Sequence, residues 1–255
     1  MSLPLVLLHA FPVSSVMYDG VVERLPGVRV IRPDLRGFGT APEPGGEQPT
    51  IDRYADDVAE LLDREGVERA VVGGLSMGGY VTMAMLRRHP GRVAGVVLMD
   101  TKASADTGEA RVNRERIAAA VLQHGTRTLR PMVDTLLGDT TRRERPAIVA
   151  RVSAWLDAAR PRGVAWAQRA MAARPASFDT LRTASAAGVP GAVVVGAEDT
   201  LAGEDDARAM AAAFQSFTQV HVIAAAGHLS AVENPDAVAA AVHGVLDTWQ
   251  DLPRT

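Results

Sequence analysis

The sequence predicts an α/β protein, a mostly parallel, doubly wound sheet interrupted by an inserted helical region. Three observations predict it. Short β-branched runs alternate with amphipathic stretches, the order expected when each parallel strand returns through a helical crossover. Between residues 101 and 188 the β-branched runs stop and apolar residues recur at helical spacing. The pentapeptide Gly74-Leu75-Ser76-Met77-Gly78 joins an apolar strand-like run directly to a helical one, with a serine at the turn.

Taken in order, strands are expected near Leu3 to His9, Val28 to Arg32, Ala70 to Gly74, Val93 to Met99, Gly191 to Gly196 and Thr218 to Ile223. Helices fall between them near Ser14 to Leu25, Ile51 to Glu65, Met77 to Arg88, Ala202 to Phe214 and Pro235 to Trp249. Right-handed crossovers then put the carboxyl ends of the strands along one edge of the sheet. The segment Thr40 to Thr50, rich in Pro and Gly, is expected to be a flexible loop. The insertion divides into helical pieces near Glu109 to Gln123, Thr128 to Leu137, Arg145 to Ala158, Gly163 to Ala172 and Phe178 to Ala184, punctuated by Gly125, Gly138, Pro161 and Pro175. The expected organisation is therefore a core of residues 1–100 and 189–255 with a helical cap at 101–188.

Composition narrows the function. A chain of 255 residues with 47% hydrophobic content can bury a sizeable core. A net charge of −3 with interspersed signs offers no field for nucleic acid. There is no cysteine, which removes disulfides, thiolate catalysis and cysteine metal sites and suits a cytoplasmic setting. Lys102 is the only lysine, so the glycines at 73–79 cannot form a phosphate-binding loop of the kind that needs one. No apolar stretch is long enough to span a bilayer, and Leu3 to Ala10 reads as a buried strand. Neither a cofactor nor a metal ion is expected.

The chemistry centres on Ser76. A serine in a strained turn needs neighbours without Cβ atoms, which explains Gly74 and Gly78. A hydroxyl attacks a carbonyl only if a base takes its proton. His228, in Ala226-Gly227-His228-Leu229 after the last strand, is the expected base, while His89, His124, His221 and His243 read as ordinary surface or core residues. The base needs a carboxylate to orient it. Asp199 follows Val193-Val194-Val195-Gly196 at a strand's carboxyl end and is the first choice. Asp100, after the preceding strand, is the alternative; Glu198 points elsewhere, and Asp205 and Asp206 read as first-turn helix acids.

Four motifs, His9-Ala10-Phe11-Pro12, Asp34-Leu35-Arg36-Gly37-Phe38-Gly39, the Gly74–Gly78 pentapeptide and Gly227-His228, occur in an order that resembles the α/β-hydrolase fold. The resemblance runs over nearly the whole chain and points to the small ester and lactone hydrolases, a group that includes enol-lactonases, carboxylesterases and cofactor-free perhydrolases. It implies the order Ser76, Asp199, His228 for the catalytic residues, and an oxyanion hole from the backbone N–H groups of Phe11 and Met77. Ala10 stands where relatives more commonly have glycine. The Asp34 to Gly39 loop is expected to brace the site. Tyr18, where relatives often carry tryptophan, is a pocket candidate or helix core; Met132, Trp155, Trp166, Met171 and Phe178 are candidate cap residues for the pocket, and Arg111 or Arg162 could read a substrate carboxylate. Dehalogenases and epoxide hydrolases of this fold carry aspartate in place of Ser76, and hydroxynitrile lyases need a lysine near the last strands. The expected activity is hydrolysis of a carboxylic ester or lactone. The alternatives are acyl transfer to peroxide or an alcohol, and a receptor-like binding protein on the same fold. Relatives also carry a strand hairpin ahead of the first strand here, so six strands are expected, with Val28 to Arg32 at an edge that a loop, twist or a second subunit of a homodimer must protect.

Overall fold

The computed structural model describes residues 3–214 and 219–250. Among these, six strands form one sheet: β1 (Leu5–Leu8), β2 (Val30–Ile31), β3 (Ala70–Leu75), β4 (Val93–Met99), β5 (Gly191–Gly196) and β6 (Gln219–Ile223). Their order is β2-β1-β3-β4-β5-β6, and every neighbouring pair is parallel. Residues of β1, β3 and β5 are buried throughout, as unbroken Val, Leu, Ala and Gly runs require when helices cover both faces. The expected start of the last strand, Thr218, lies outside the described residues.

The sheet order contains a switch. After β1 the chain steps outward to β2, then returns to lay β3 on the other side of β1. At such a point the loops leaving two adjacent strands diverge and open a crevice at their carboxyl ends. Here those loops carry His9 to Pro12 and Ser76.

The helices are α1 (Asp19–Val22), preceded by a 3-10 turn over Ser15–Tyr18, α2 (Ile51–Arg64), α3 (Met77–Arg88), α4 (Gly108–His124), α5 (Val133–Leu136), α6 (Asp139–Glu144), α7 (Pro146–Ala158), α8 (Pro161–Ala173), α9 (Phe178–Ala186), α10 (Glu204–Ala213), α11 (Ser230–Glu233) and α12 (Pro235–Gln250). Thr50 caps α2 by accepting from the Arg53 N–H at 3.1 Å, and Thr107 caps α4 through the Ala110 N–H at 3.2 Å. Strand β2 is only two residues long and flanked by Arg29 and Arg32, a short, charged edge that discourages further pairing.

The insertion departs from expectation in detail. The piece expected at Thr128 to Leu137 is a 3-10 turn, Thr126–Met132, running into the short α5, because Pro131 supplies no N–H for an α-helical bond. An unexpected helix, α6, follows Gly138 and stops before Pro146 opens α7. Helices α4 and α8 pack against each other, whereas α9 packs on α3 and α10 beside the sheet. Residues 40–50 form no regular structure but are held: the Arg160 guanidinium donates to the Ala41 carbonyl at 2.6 Å and pairs with Glu43, and Arg36 pairs with Glu47.

Candidate active site

Strand β3 ends at Leu75 and α3 begins at Met77, leaving Ser76 alone to make the turn. Its φ is 55° and ψ −111°, a conformation that a residue with a side chain adopts only under constraint. The constraint is visible. The Ser76 N–H donates to the Met99 carbonyl at 2.9 Å, and its carbonyl accepts from the Gly79 N–H at 3.0 Å and the Thr101 hydroxyl at 2.8 Å. A Cβ on Gly74 would lie 2.2 Å from the Gly78 carbonyl group, and one on Gly78 would lie 2.0 Å from the Leu8 oxygen. The glycines thus let α3 close onto the ends of β3 and β1 together.

The Ser76 hydroxyl meets a relay. Its Oγ is 2.7 Å from Nε2 of His228, and Nδ1 of the same ring is 2.8 Å from Oδ2 of Asp199. With Asp199 ionised, that carboxylate accepts an Nδ1–H and leaves Nε2 as the acceptor facing the hydroxyl. The second carboxylate oxygen of Asp199 accepts from the Leu201 and Ala202 N–H groups at 2.8 and 3.1 Å, so the acid is itself held by the turn after β5. His228 is 5% exposed and Asp199 9%, which strengthens their interaction by keeping water away.

Asp100 occupies a different place. Its carboxylate accepts from the Gly196 N–H at 2.7 Å and from the Ser230 hydroxyl, not from His228. Complete burial, with the nearby Asp199 charge second, holds its pKa well above the usual carboxylate value, and so favours its neutral form. Glu198 points away toward the Thr140 N–H at 2.8 Å.

Two backbone amides follow the ends of β3 and β1. The N–H of Met77 opens α3 and that of Phe11 follows β1, and among the described residues neither has a hydrogen-bond acceptor. The loop bearing Phe11 is fixed from below by His9. Its Nε2 accepts from the Leu35 N–H at 2.9 Å while its Nδ1 donates to the Ala10 carbonyl at 2.9 Å, and its ring packs edge-on against Phe38. Complete burial pushes its pKa down to about 4, which keeps the ring neutral and Nε2 an acceptor. Asp34 in turn accepts from the Ser15 and Thr40 N–H groups at 2.9 and 2.8 Å. Gly39, at φ 48°, lies so close that a Cβ would sit 2.1 Å from Asp34 Oδ2.

This arrangement sits in a recognisable sequence context: the alpha/beta hydrolase family pattern matches residues 5–241. The chain belongs to the alpha/beta hydrolase family. Among solved structures it is similar to a thermophilic esterase from Thermogutta terrifontis, with TM-score 0.93 and 37% identity over 98% of this chain and 91% of that one. It is also similar to an enol-lactonase from Burkholderia xenovorans LB400, with TM-score 0.86 and 26% identity over 97% and 92% of the two chains. Haloalkane dehalogenase 2 of Mycobacterium tuberculosis is 31% identical over 177 residues, 68% of this chain and 62% of that protein. The chain spans 40% and 62% of the lengths of the first curated relatives it matches. No described helix is long and apolar enough to cross a membrane.

Four of the six expected pocket residues have hydrogen bonds or ring contacts with other groups. Tyr18 is fully buried with its hydroxyl donating to the Leu8 carbonyl at 2.9 Å, a core role. Trp166 packs edge-on against Tyr54 at 4.8 Å, Met171 meets the Arg114 guanidinium through its sulfur, and Trp155 lies under Arg151. Met132 and Phe178 are partly buried against the core. Arg111 and Arg162 are exposed, while Arg174 is buried, stacked on Tyr80 at 3.9 Å and paired with Asp106. Lys102 reaches the Leu201 carbonyl at 3.4 Å, next to the Asp199 turn, a proximity its place after β4 did not reveal.

One group near His228 was missed as a site residue. Glu233, 4% exposed, accepts from the N–H groups of Gly227 at 2.9 Å and Leu229 at 3.3 Å on either side of His228, and from Gly138 of the cap at 2.8 Å. Its position five residues after the histidine and just before Pro235 was the available signal, but a glutamate there reads as an exposed helix-start acid.

Proposed function

We propose that this protein is a serine hydrolase that cleaves a carboxylic ester or lactone. The observation that carries the reading is the continuous contact from the Ser76 hydroxyl through His228 to Asp199, at 2.7 and 2.8 Å. In this reading His228 takes the hydroxyl proton through Nε2 as Ser76 attacks the substrate carbonyl, and Asp199 stabilises the imidazolium that forms. Negative charge that develops on the carbonyl oxygen meets the unengaged N–H groups of Phe11 and Met77. His228 then gives its proton to the leaving alkoxide, which leaves an acyl group on Ser76. Water, deprotonated by His228, attacks that ester and releases the acid.

The nucleophile's identity favours acyl chemistry over dehalogenation. If Ser76 displaced a halide from carbon, the product would be an ether, with no carbonyl for water to attack, and the enzyme would stop after one event. An acyl-serine has that carbonyl and turns over. The likeness to an esterase and an enol-lactonase supports the same class. Stopped-flow kinetics with p-nitrophenyl acetate tests it. A burst of one p-nitrophenolate per chain followed by steady turnover is expected, and the absence of both burst and turnover across an ester and lactone panel contradicts it.

A further inference from the structure

The histidine of the site sits on a loop without regular structure, between β6 and α11, and its register must be set from outside that loop. Two of the polar contacts that set it, one on each side of the histidine, converge on one side chain. Glu233 Oε1 accepts from both amides that flank His228, and Oε2 accepts from the Gly138 N–H across the boundary with the cap. The cap returns the contact: the Leu136 carbonyl accepts from the same Leu229 N–H at 3.1 Å. Arg145 of the cap donates to the carbonyls of Glu233 at 2.7 Å and Ala225 at 3.1 Å, and Ala225 is held at φ 54°. The two backbones touch closely enough that a Cβ on Gly227 would lie 2.3 Å from the Gly138 nitrogen.

We propose that Glu233 is a positioning residue, through which the cap segment Leu136 to Arg145 fixes His228 in line with Ser76. This rests on the serine-hydrolase reading for its kinetic consequence and on geometry alone for its structural one. The carboxylate is suited to the task because the groups aimed at it from Gly138, Gly227 and Leu229 are N–H donors, joined by the Thr141 hydroxyl, and a carboxylate accepts without donating. An amide in its place presents a donor to one of them. The cap is then part of the machinery that holds the base.

Glu233→Gln keeps the size of the side chain and is the informative variant. It is expected to unfold cooperatively, to lose about 10²-fold in kcat from a displaced imidazole, and to leave KM within about twofold. Gly138→Ala should act in the same direction, since its Cβ would lie 2.8 Å from the Gly227 nitrogen. The NMR resonance of the His228 Nδ1 proton should shift or broaden in both variants, a readout that needs no turnover. A folded Glu233→Gln protein with unchanged kcat and an unchanged His228 resonance overturns the proposal, as does a loss confined to KM. If Glu233→Gln does not fold, amide exchange in the unaltered protein decides. The N–H groups of Gly138, Gly227 and Leu229 should share one level of protection, and a Gly138 amide that exchanges freely while the other two are protected overturns the joint. A wild-type protein that forms no acyl-enzyme refutes the hydrolase reading, and the NMR and exchange measurements still judge Glu233.

Discussion

Asp199 and Asp100 both approach the histidine loop, and their surroundings give them opposite tasks. Asp199 holds the Nδ1 side of His228, while Asp100 is sealed between Gly196 and Ser230 where burial favours its proton. Asp199→Asn should therefore lower kcat by about 10⁴-fold, because the amide can impose the wrong imidazole tautomer. Asp100→Asn mimics the neutral acid and should keep kcat within about tenfold; steady-state kinetics on the two variants checks the assignment, and the reverse pattern would exchange their roles. His9 carries a different prediction. Its ring pKa is pushed down to about 4 from 6.5, so between those values the unfolded chain binds a proton that the fold refuses. The contribution is complete above pH 6.5, falls as the pH drops toward 4, and amounts to about 3 kcal/mol. Urea midpoints should decline across that window, and an NMR titration should show the His9 ring unprotonated until about pH 4; a midpoint near 6.5 would contradict the buried acceptor role.

At the scale of elements, the turn from β3 to α3 depends on atoms that are missing. A methyl group on Gly78 would strike the Leu8 carbonyl, and neither backbone can retreat without parting α3 from the sheet. Gly78→Ala should cost at least about 3 kcal/mol, the upper end of ordinary overpacking, seen as a lower thermal midpoint; an unchanged midpoint would mean the turn is looser than described. This steric demand is why the turn was legible in the sequence: Gly74, Ser76 and Gly78 follow from one strained residue. The strands were legible for a similar reason, since Val71-Val72 and Val193-Val194-Val195 are continuous apolar runs that only a doubly covered sheet accommodates. The cap was read less well. Helix α6 follows Gly138 without a side-chain cap of its own, and the Thr140 N–H in its first turn is satisfied by Glu198 from the core, a partner that lies 58 residues away along the chain. Glu233 was opaque in the same way. Its donors come from residues 138, 141, 227 and 229, and no local pattern announces that they meet.

Across the whole molecule, among the described residues, the insertion is fastened to the sheet layers at several places, besides the packing of α9 on α3 and α10. Gly37 and Gly163 touch backbone to backbone while Arg160 donates to the Phe38 carbonyl at 3.0 Å. Gly138 meets Gly227 and Glu233. Within the insertion Asp106 pairs with Arg114 of α4 and with Arg174 after α8, and the Arg174 guanidinium crosses to the core by stacking on Tyr80 of α3. Asp106 is 8% exposed and Arg174 5%, so removing the carboxylate charge strands a buried cation. Asp106→Asn should destabilise the protein by about 3–5 kcal/mol in urea unfolding, and a change near zero would show that the cap is not held there. Ser76, whose hydroxyl lies 2.7 Å from Nε2 of His228, carries the central claim. A fluorophosphonate probe tests it most directly. Mass spectrometry should find one adduct, on Ser76, that vanishes in Ser76→Ala and slows markedly in His228→Ala; a protein that remains unmodified, or an adduct on any other residue, would contradict it.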